Sequence, residues 1–255
     1  KDSYSLQFIL EHLKKLNHRG RDCFGISYLD VKNNIRSIKK RGDVDITKLC
    51  DDEKSILSKS FISHLRYATS GDKDKILNYT QPFSSFNKLG NYTLAHNGNI
   101  PNYIWSKFKD IDFPENIIDT QKLIYYINYI SNFKQINSWV DIAKILLDEI
   151  ECAYCLIIQT KDKLIVIRDR FGFRPLSIYV SDNNIFISSE TIAIPNNNSN
   201  IVNLMNFKDK YIKEDNFTIR DIKNGEILEI SNTLKINSTH INYKINSNCL
   251  FEYIY

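Results

Sequence analysis

The chain has 255 residues, 42% hydrophobic and 25% charged, an ordinary balance for a globular protein with a sizeable core. Its 34 basic and 30 acidic side chains leave a net charge of only +4, and the densest basic run, Lys39-Lys40-Arg41, has no aromatic residues interleaved with it; a solvated loop explains it better than a nucleic-acid surface. No apolar run approaches the roughly 18 residues of a membrane span and no signal peptide is visible, so a cytoplasmic protein that binds neither nucleic acid nor membrane is expected.

In chain order, Leu6, Ile9, Leu10, Leu13 and Leu16 form a helical stripe that predicts a helix over residues 4–16, with Gly20 available for its C-terminal turn. Phe24 to Asp30 and Ile35 to Lys39 read as strands around the hairpin signal Asn33-Asn34. Asp45 to Leu57 reads as a helix, and Phe61 to Tyr67 and Tyr92 to Ile100 as strands. Leu123, Ile124, Ile127 and Ile130 make an amphipathic helix that opens at Asp119, and Trp139 to Ile150 is a second one. Strands follow at Ala153–Thr160, Lys163–Arg168, Leu176–Val180, Asn184–Ser188 and Glu226–Ile230, while Asn196-Asn197-Asn198-Ser199-Asn200 reads as a surface loop. Hairpin-like connections dominate over strict β-α-β alternation. The predicted fold is therefore α+β, mainly antiparallel sheets with helices packed outside them.

Five cysteines, an odd number, point to a reducing compartment. Cys152 and Cys155 have CxxC spacing, but they fall on a predicted buried strand, where residues three apart face opposite sides, and nothing nearby completes a metal site. Both are expected to be small core residues. The chain opens on Lys1 and ends on the apolar Phe251-Glu252-Tyr253-Ile254-Tyr255, so both ends read as cut from a longer protein.

Polar strings cluster at predicted element ends. Leu94-Ala95-His96-Asn97-Gly98-Asn99 brings a strand to a tight turn, where Gly98 would permit a conformation closed to other residues and the Asn97 amide with nearby N–H groups could hold a developing oxyanion; a plain hairpin turn is the alternative. Arg66 could hold a carboxylate through two parallel N–H bonds, and Asp119 an ammonium. A surface ion pair and an N-cap are the alternatives for these two. Together the groups suit an amino-acid substrate.

The chain resembles the glutaminase domain of class II glutamine amidotransferases, most closely the branch acting on phosphoribosyl pyrophosphate. The strings that carry the resemblance are His18-Arg19-Gly20-Arg21-Asp22, Ser63 to Gly71, Gln81-Pro82-Phe83, Leu94 to Asn99, Arg168-Asp169-Arg170-Phe171-Gly172-Phe173-Arg174-Pro175-Leu176, Ser188-Ser189-Glu190 and Cys249 to Tyr255. The resemblance implies a four-layer αββα N-terminal-nucleophile hydrolase fold, two stacked antiparallel sheets between helix layers. It implies a glutaminase domain over residues 1–246 and, at 247–255, the start of a junction to a phosphoribosyltransferase domain. It assigns the glutamine carboxylate to Arg66, the ammonium to Asp119 and the oxyanion hole to Asn97 and Gly98; Arg19 and Tyr67 would line or close the pocket, His96 is a further substrate-binding residue, and Arg66 to Gly71 belongs to a loop that closes over glutamine. The nucleophile in such enzymes is an N-terminal cysteine whose own amine acts as base; it is expected upstream of Lys1, which leaves this polypeptide inactive by itself. Further implications are ammonia delivery to phosphoribosyl pyrophosphate in purine synthesis, Mg²⁺ in the second domain, no cofactor in this one, and a homo-oligomer. In part of the family four cysteines hold an iron–sulfur cluster, the first at the position of Cys249; cluster-free members also carry a cysteine there, so that role stays open. A degenerate binding relative and another branch, such as asparagine synthetase, remain alternatives.

Overall fold

A computed structural model describes residues 3–67, 73–133, 136–195, 211–214 and 217–243. The first helix is shorter than its stripe predicts. Tyr4–Ser5 is a short strand (β1), Ser5 caps the helix by accepting the Phe8 N–H, and α1 (Leu6–Leu13) tightens into a 3₁₀ segment at Lys14–Arg19. Gly20 supplies no left-handed turn. Its backbone is extended, and the absence of a side chain lets it pass the Arg66 backbone, where a Cβ would lie 2.7 Å from the carbonyl carbon. The expected hairpin forms from β2 (Cys23–Leu29) and β3 (Ile35–Arg41), with Asn33 at φ 58°. The Lys39–Arg41 run lies in β3, not in a solvated loop. Lys39 Nζ sits 4.8 Å from the Phe83 ring centre, and Lys40 pairs with Glu53 at 2.9 Å.

The helix expected over Asp45–Leu57 is broken by two successive caps. Asp45 accepts the Thr47 N–H and Glu53 accepts the Cys50 N–H. A 3₁₀ turn (Ile46–Lys48), a short helix α2 (Asp51–Lys54) and the strand β4 (Leu57–Ser58) take its place, with Cys50 exposed ahead of α2. Strand β5 (Phe61–Arg66) joins β2, giving a three-stranded sheet in the order β3-β2-β5.

Next come β6 (Phe83–Asn87), β7 (Gly90–Gly98), the short α3 (Asn102–Trp105), α4 (Asp119–Phe133) and α5 (Trp139–Glu149). They are followed by β8 (Tyr154–Thr160), β9 (Lys163–Arg168), β10 (Ser177–Ser181) and β11 (Ile185–Ser188). The last strands are β12 (Tyr211–Glu214), β13 (Phe217–Asp221), β14 (Glu226–Ser231) and β15 (Ile236–His240). A six-stranded sheet runs β15-β14-β9-β8-β7-β6 and a four-stranded sheet runs β11-β10-β13-β12. Every pairing between the described strands is antiparallel.

Alternation along β8 explains the layering. Tyr154, Leu156 and Ile158 face α4 and α5 and join Leu123, Tyr126, Ile127, Trp139, Ile142 and Leu146 in the largest core cluster. Cys155 faces the other way, into a core between sheets with Val166, Leu228 and Ile178, and Gln159 on that side accepts a buried hydrogen bond from Ser27 of β2. On the outer side of β2, Phe24 and Ile26 pack against Leu6, Leu10 and Leu13 of α1. The layers are thus helix, sheet, sheet, helix, as expected. Cys152 and Cys155 are both buried, and burial pushes each thiol up to about 12.

Candidate active site

Two strand edges face each other across the inner layer. Among the described residues β5 pairs only with β2, and β11 only with β10. Between them lies a cavity of about 250 Å³, lined by every residue from Phe61 to Leu65 and from Ile185 to Ser189. Phe8, His12 and Leu16 cover one side, and Ala95, His96, Asn97 and Ile157 the other. A run of consecutive residues lines a cavity when it is the backbone edge that faces it. Buried backbone groups require hydrogen-bond partners, so this slot has the form of a place for one more extended strand.

His96 is the hub at the end of the slot. It is 2% exposed, and three groups from distant segments fix it. Its backbone N–H donates to Gln81 Oε1 at 2.6 Å; its Nδ1 lies 3.0 Å from Thr120 Oγ1 and 3.8 Å from Asp119 Oδ2. Asp119, first residue of α4, accepts the Ile100 N–H on Oδ2 and the Thr120 N–H on Oδ1. It therefore binds the chain just past the Asn97–Gly98 segment. That segment is not a tight turn: both residues remain in β7, opposite Cys155 and Tyr154. Gly98 is required by crowding, not by a left-handed conformation. A Cβ there would meet Ala153 O and His96 Nε2, both at 2.7 Å.

The remaining expected groups arrive through contacts. Asn97 Nδ2 reaches Ser189 Oγ at 3.5 Å, a long bond that another acceptor would displace easily. The next residue, Glu190, holds Arg19 at 2.7 Å and His18 at 3.0 Å. Arg19, His96 and Asn97 line the cavity. Arg66 and Asp119 flank it instead: both act electrostatically on His64, and the Arg66 backbone abuts Gly20, next to Arg19. Arg66 is 7% exposed and donates through Nη1 to the Tyr79 carbonyl at 2.7 Å. Tyr67 is 71% exposed and is not part of the wall. The rest of the expected closing loop, residues 68–72, lies outside the described residues, as do Cys249, the junction at 247–255 and the loop at 196–200. Among the described residues no three His, Cys, Asp or Glu side chains are grouped to hold a metal.

The string from Arg168 to Leu176 is architectural. Buried Asp169 accepts the N–H groups of Tyr154, Phe171 and Gly172, and Arg168 donates to the carbonyls of Gly172, Arg174 and Ile222. This loop braces the start of β8, directly across from Gly98. Thr120, Gln81, His64, Ser189 and Glu190 had no role in the sequence reading. Gln81, His64, Ser189 and Glu190 sat inside the quoted strings, and Thr120 follows Asp119, but their function depends on contacts across the fold.

His64 gives the site a pH signature. Desolvation above all, helped by the nearby Arg66 guanidinium, depresses its imidazole to about 4. Unfolded, it titrates near 6.5. Between these values the unfolded chain binds more protons, so stability falls as pH drops from about 6.5 to 4. Denaturant unfolding across that range is expected to show a loss that His64→Gln reduces by up to about 3 kcal/mol. Parallel curves for the two proteins would exclude a neutral His64 in the folded protein.

A profile of glutamine amidotransferase domains matches residues 64–196, and one of class II glutamine amidotransferases matches residues 3–114. The amidophosphoribosyltransferase of Methanocaldococcus jannaschii is 30% identical over 251 residues, spanning 94% of this chain and 50% of the relative. The glutamine–fructose-6-phosphate aminotransferase of Wigglesworthia glossinidia brevipalpis is 29% identical over 234 residues, 89% of this chain and 34% of that one. The solved glutamine phosphoribosylpyrophosphate amidotransferase of B. subtilis, complexed with ADP and GMP, superposes with a TM-score of 0.70 at 26% identity, covering 94% of this chain and 47% of its own. A second structure, of an allosteric regulatory enzyme of purine biosynthesis, gives 0.73 at 26% identity over the same shares. The chain spans between 32% and 50% of the length of these curated relatives.

Proposed function

This chain belongs to the class II glutamine amidotransferases and has their N-terminal-nucleophile fold, and from that premise we propose that it is the glutaminase portion of an amidophosphoribosyltransferase. In this reading glutamine is hydrolysed so that its ammonia can be delivered to phosphoribosyl pyrophosphate, forming phosphoribosylamine for purine synthesis. A second domain holds Mg²⁺ and the phosphoribosyl substrate, and the protein acts as a cytoplasmic homo-oligomer.

The observation that carries the reading is the slot between β5 and β11, closed at one end by His96 and Asn97. The nucleophile is the N-terminal cysteine of an extended strand seated there, paired with both edges. The described cysteines do not suit the role. Cys23 is fully buried, its sulfur accepts the Thr80 hydroxyl at 2.9 Å, and burial raises its thiol. Cys152 and Cys155 are raised further, and Cys50 is on the surface ahead of α2. A thiolate is the reactive form, and burial disfavours it at Cys23, Cys152 and Cys155.

The chemistry then balances as follows. The thiol gives its proton to the free α-amine of the same residue, and sulfur attacks the γ-carboxamide carbon. Asn97 Nδ2 leaves its long contact with Ser189 and donates to the new oxyanion, with Gly98 beside it. The α-ammonium gives that proton to the departing nitrogen, so collapse expels ammonia and leaves a γ-glutamyl thioester, which water hydrolyses to glutamate and the free thiol. Asp119 holds the substrate ammonium and Arg66 its carboxylate, while Arg19, fixed by Glu190, lines the entrance.

An electrophilic diazoketone analogue of glutamine tests this in the whole gene product. Mass spectrometry is expected to find it on an N-terminal cysteine, at a rate that phosphoribosyl pyrophosphate increases and fructose 6-phosphate does not. Labelling of Cys23, Cys50, Cys152 or Cys155 would overturn the assignment of the nucleophile. Acceleration by fructose 6-phosphate alone would move the chain to the sugar-phosphate branch.

A further inference from the structure

The Thr120 hydroxyl lies between the two ends of the proposed glutamine site. It is 1% exposed and has three partners: Gln81 Nε2 donates to it at 3.1 Å, it donates to Asp119 Oδ1 at 3.3 Å, and His96 Nδ1 lies 3.0 Å away. A hydroxyl has one proton to give and two lone pairs to receive. Asp119 can only accept, so the Thr120 proton goes there, and the oxygen then accepts from both Gln81 and His96. His96 is thereby fixed as the tautomer that carries its proton on Nδ1. Gln81 closes the ring, because its Oε1 accepts the His96 backbone N–H.

The ring joins two elements that share no sequence neighbourhood. Asp119 and Thr120 open α4, and His96 precedes Asn97 on β7. We infer that Thr120 is a positioning residue: its hydroxyl sets the separation between the carboxylate for the substrate ammonium and the strand carrying the oxyanion amide. The inference rests on the reading of the site given above. It deepens that reading by naming the group that holds the α-centre and the γ-carboxamide of one glutamine in register. A side effect follows from charge. With its proton spent on Thr120, neutral His96 does not pair with Asp119 and leaves that acid for the substrate.

The experiment uses the whole gene product. Thr120→Val removes the hydroxyl at nearly constant volume. It is expected to raise the KM for glutamine about tenfold, to leave the inhibition constant of glutaramate, which lacks the α-amine, unchanged, and to lower kcat several-fold. Thr120→Ser is expected to restore all three to within about twofold. Equal weakening of glutamine and glutaramate without rescue by serine would mean a merely structural role and overturn the inference, as would a valine variant equal to the parent. Nitrogen-15 shifts of the unmutated protein give a test that does not depend on the variants folding. They are expected to show His96 neutral with the proton on Nδ1; a proton on Nε2 would overturn the inference. Asp119→Asn separates the two levels: no change in its glutamine KM would sink the site assignment itself, whereas a raised KM there beside an inert Thr120→Val sinks only the role of Thr120.

Discussion

Asn97→Ala is expected to lower kcat for glutamine hydrolysis roughly 10²–10³-fold in the whole gene product, with KM nearly unchanged. The split follows from geometry. Among the described residues the amide of the resting site makes the one long 3.5 Å contact with Ser189, so it contributes little to a bound ground state. When the carboxamide oxygen becomes an oxyanion, the same amide sits ready on a strand fixed by Gln81 and by the opposing Cys155 and Tyr154. An interaction that strengthens only in the transition state appears in kcat and not in KM. Steady-state kinetics on the variant check this. A KM rise that accounts for the whole loss would place Asn97 in substrate binding, and an unchanged kcat would remove it from the oxyanion hole.

The sequence was most legible where apolar residues repeat. The hairpin of β2 and β3, the helices α4 and α5 and the strand β9 fall where periodicity predicts. Three of the overlooked strands share a physical cause, which does not extend to the interior β13 or to the two-residue β1 and β4. β6 and β15 are the two edges of the six-stranded sheet, and β12 is an edge of the four-stranded one. An edge strand is partly solvated, so its polar residues, as in Ile236-Asn237-Ser238-Thr239-His240, mask the alternation that a buried strand displays. The broken helix at Asp45–Leu57 shows a different limit: Asp45 and Glu53 compete locally for backbone N–H groups, and capping overrides helical patterning.

Gly20 and Gly98 mark the same limit within the site. The sequence suggested glycines chosen for unusual backbone angles. The fold instead needs them because the Arg66 backbone and the Ala153 carbonyl pass too close for any side chain. Such proximity involves segments far apart in the chain, and no local pattern encodes it. Thr120 and Gln81 escaped notice for that reason too. Arg66, Asn97 and Asp119 stood out because they are polar residues at element ends, yet their grouping around His64 and His96 is a product of topology.

Asp119→Ala is expected to raise the glutamine KM about 10²-fold, near the lower end of the cost of leaving a charged partner unpaired in a binding site. The lower end applies because the side chain keeps 21% exposure, so water partly replaces the lost carboxylate. Alanine also removes the acceptor for the Ile100 N–H, at 2.9 Å, and loosens the chain beyond Gly98. Asp119→Asn separates these effects. It keeps an oxygen for Ile100 but replaces Oδ1, the acceptor of the Thr120 N–H and hydroxyl, by an amide nitrogen, so its KM is expected to rise nearly as far while kcat falls no more than the several-fold expected of Thr120→Val. Initial rates over a wide glutamine range, with glutaramate as competitor, measure both quantities. Should asparagine sustain the parental KM while alanine does not, Asp119 serves the backbone at Ile100 and the ammonium is held elsewhere. A large rise for both, with glutaramate binding unaffected, is the result that the position of this carboxylate beside a neutral His96 demands.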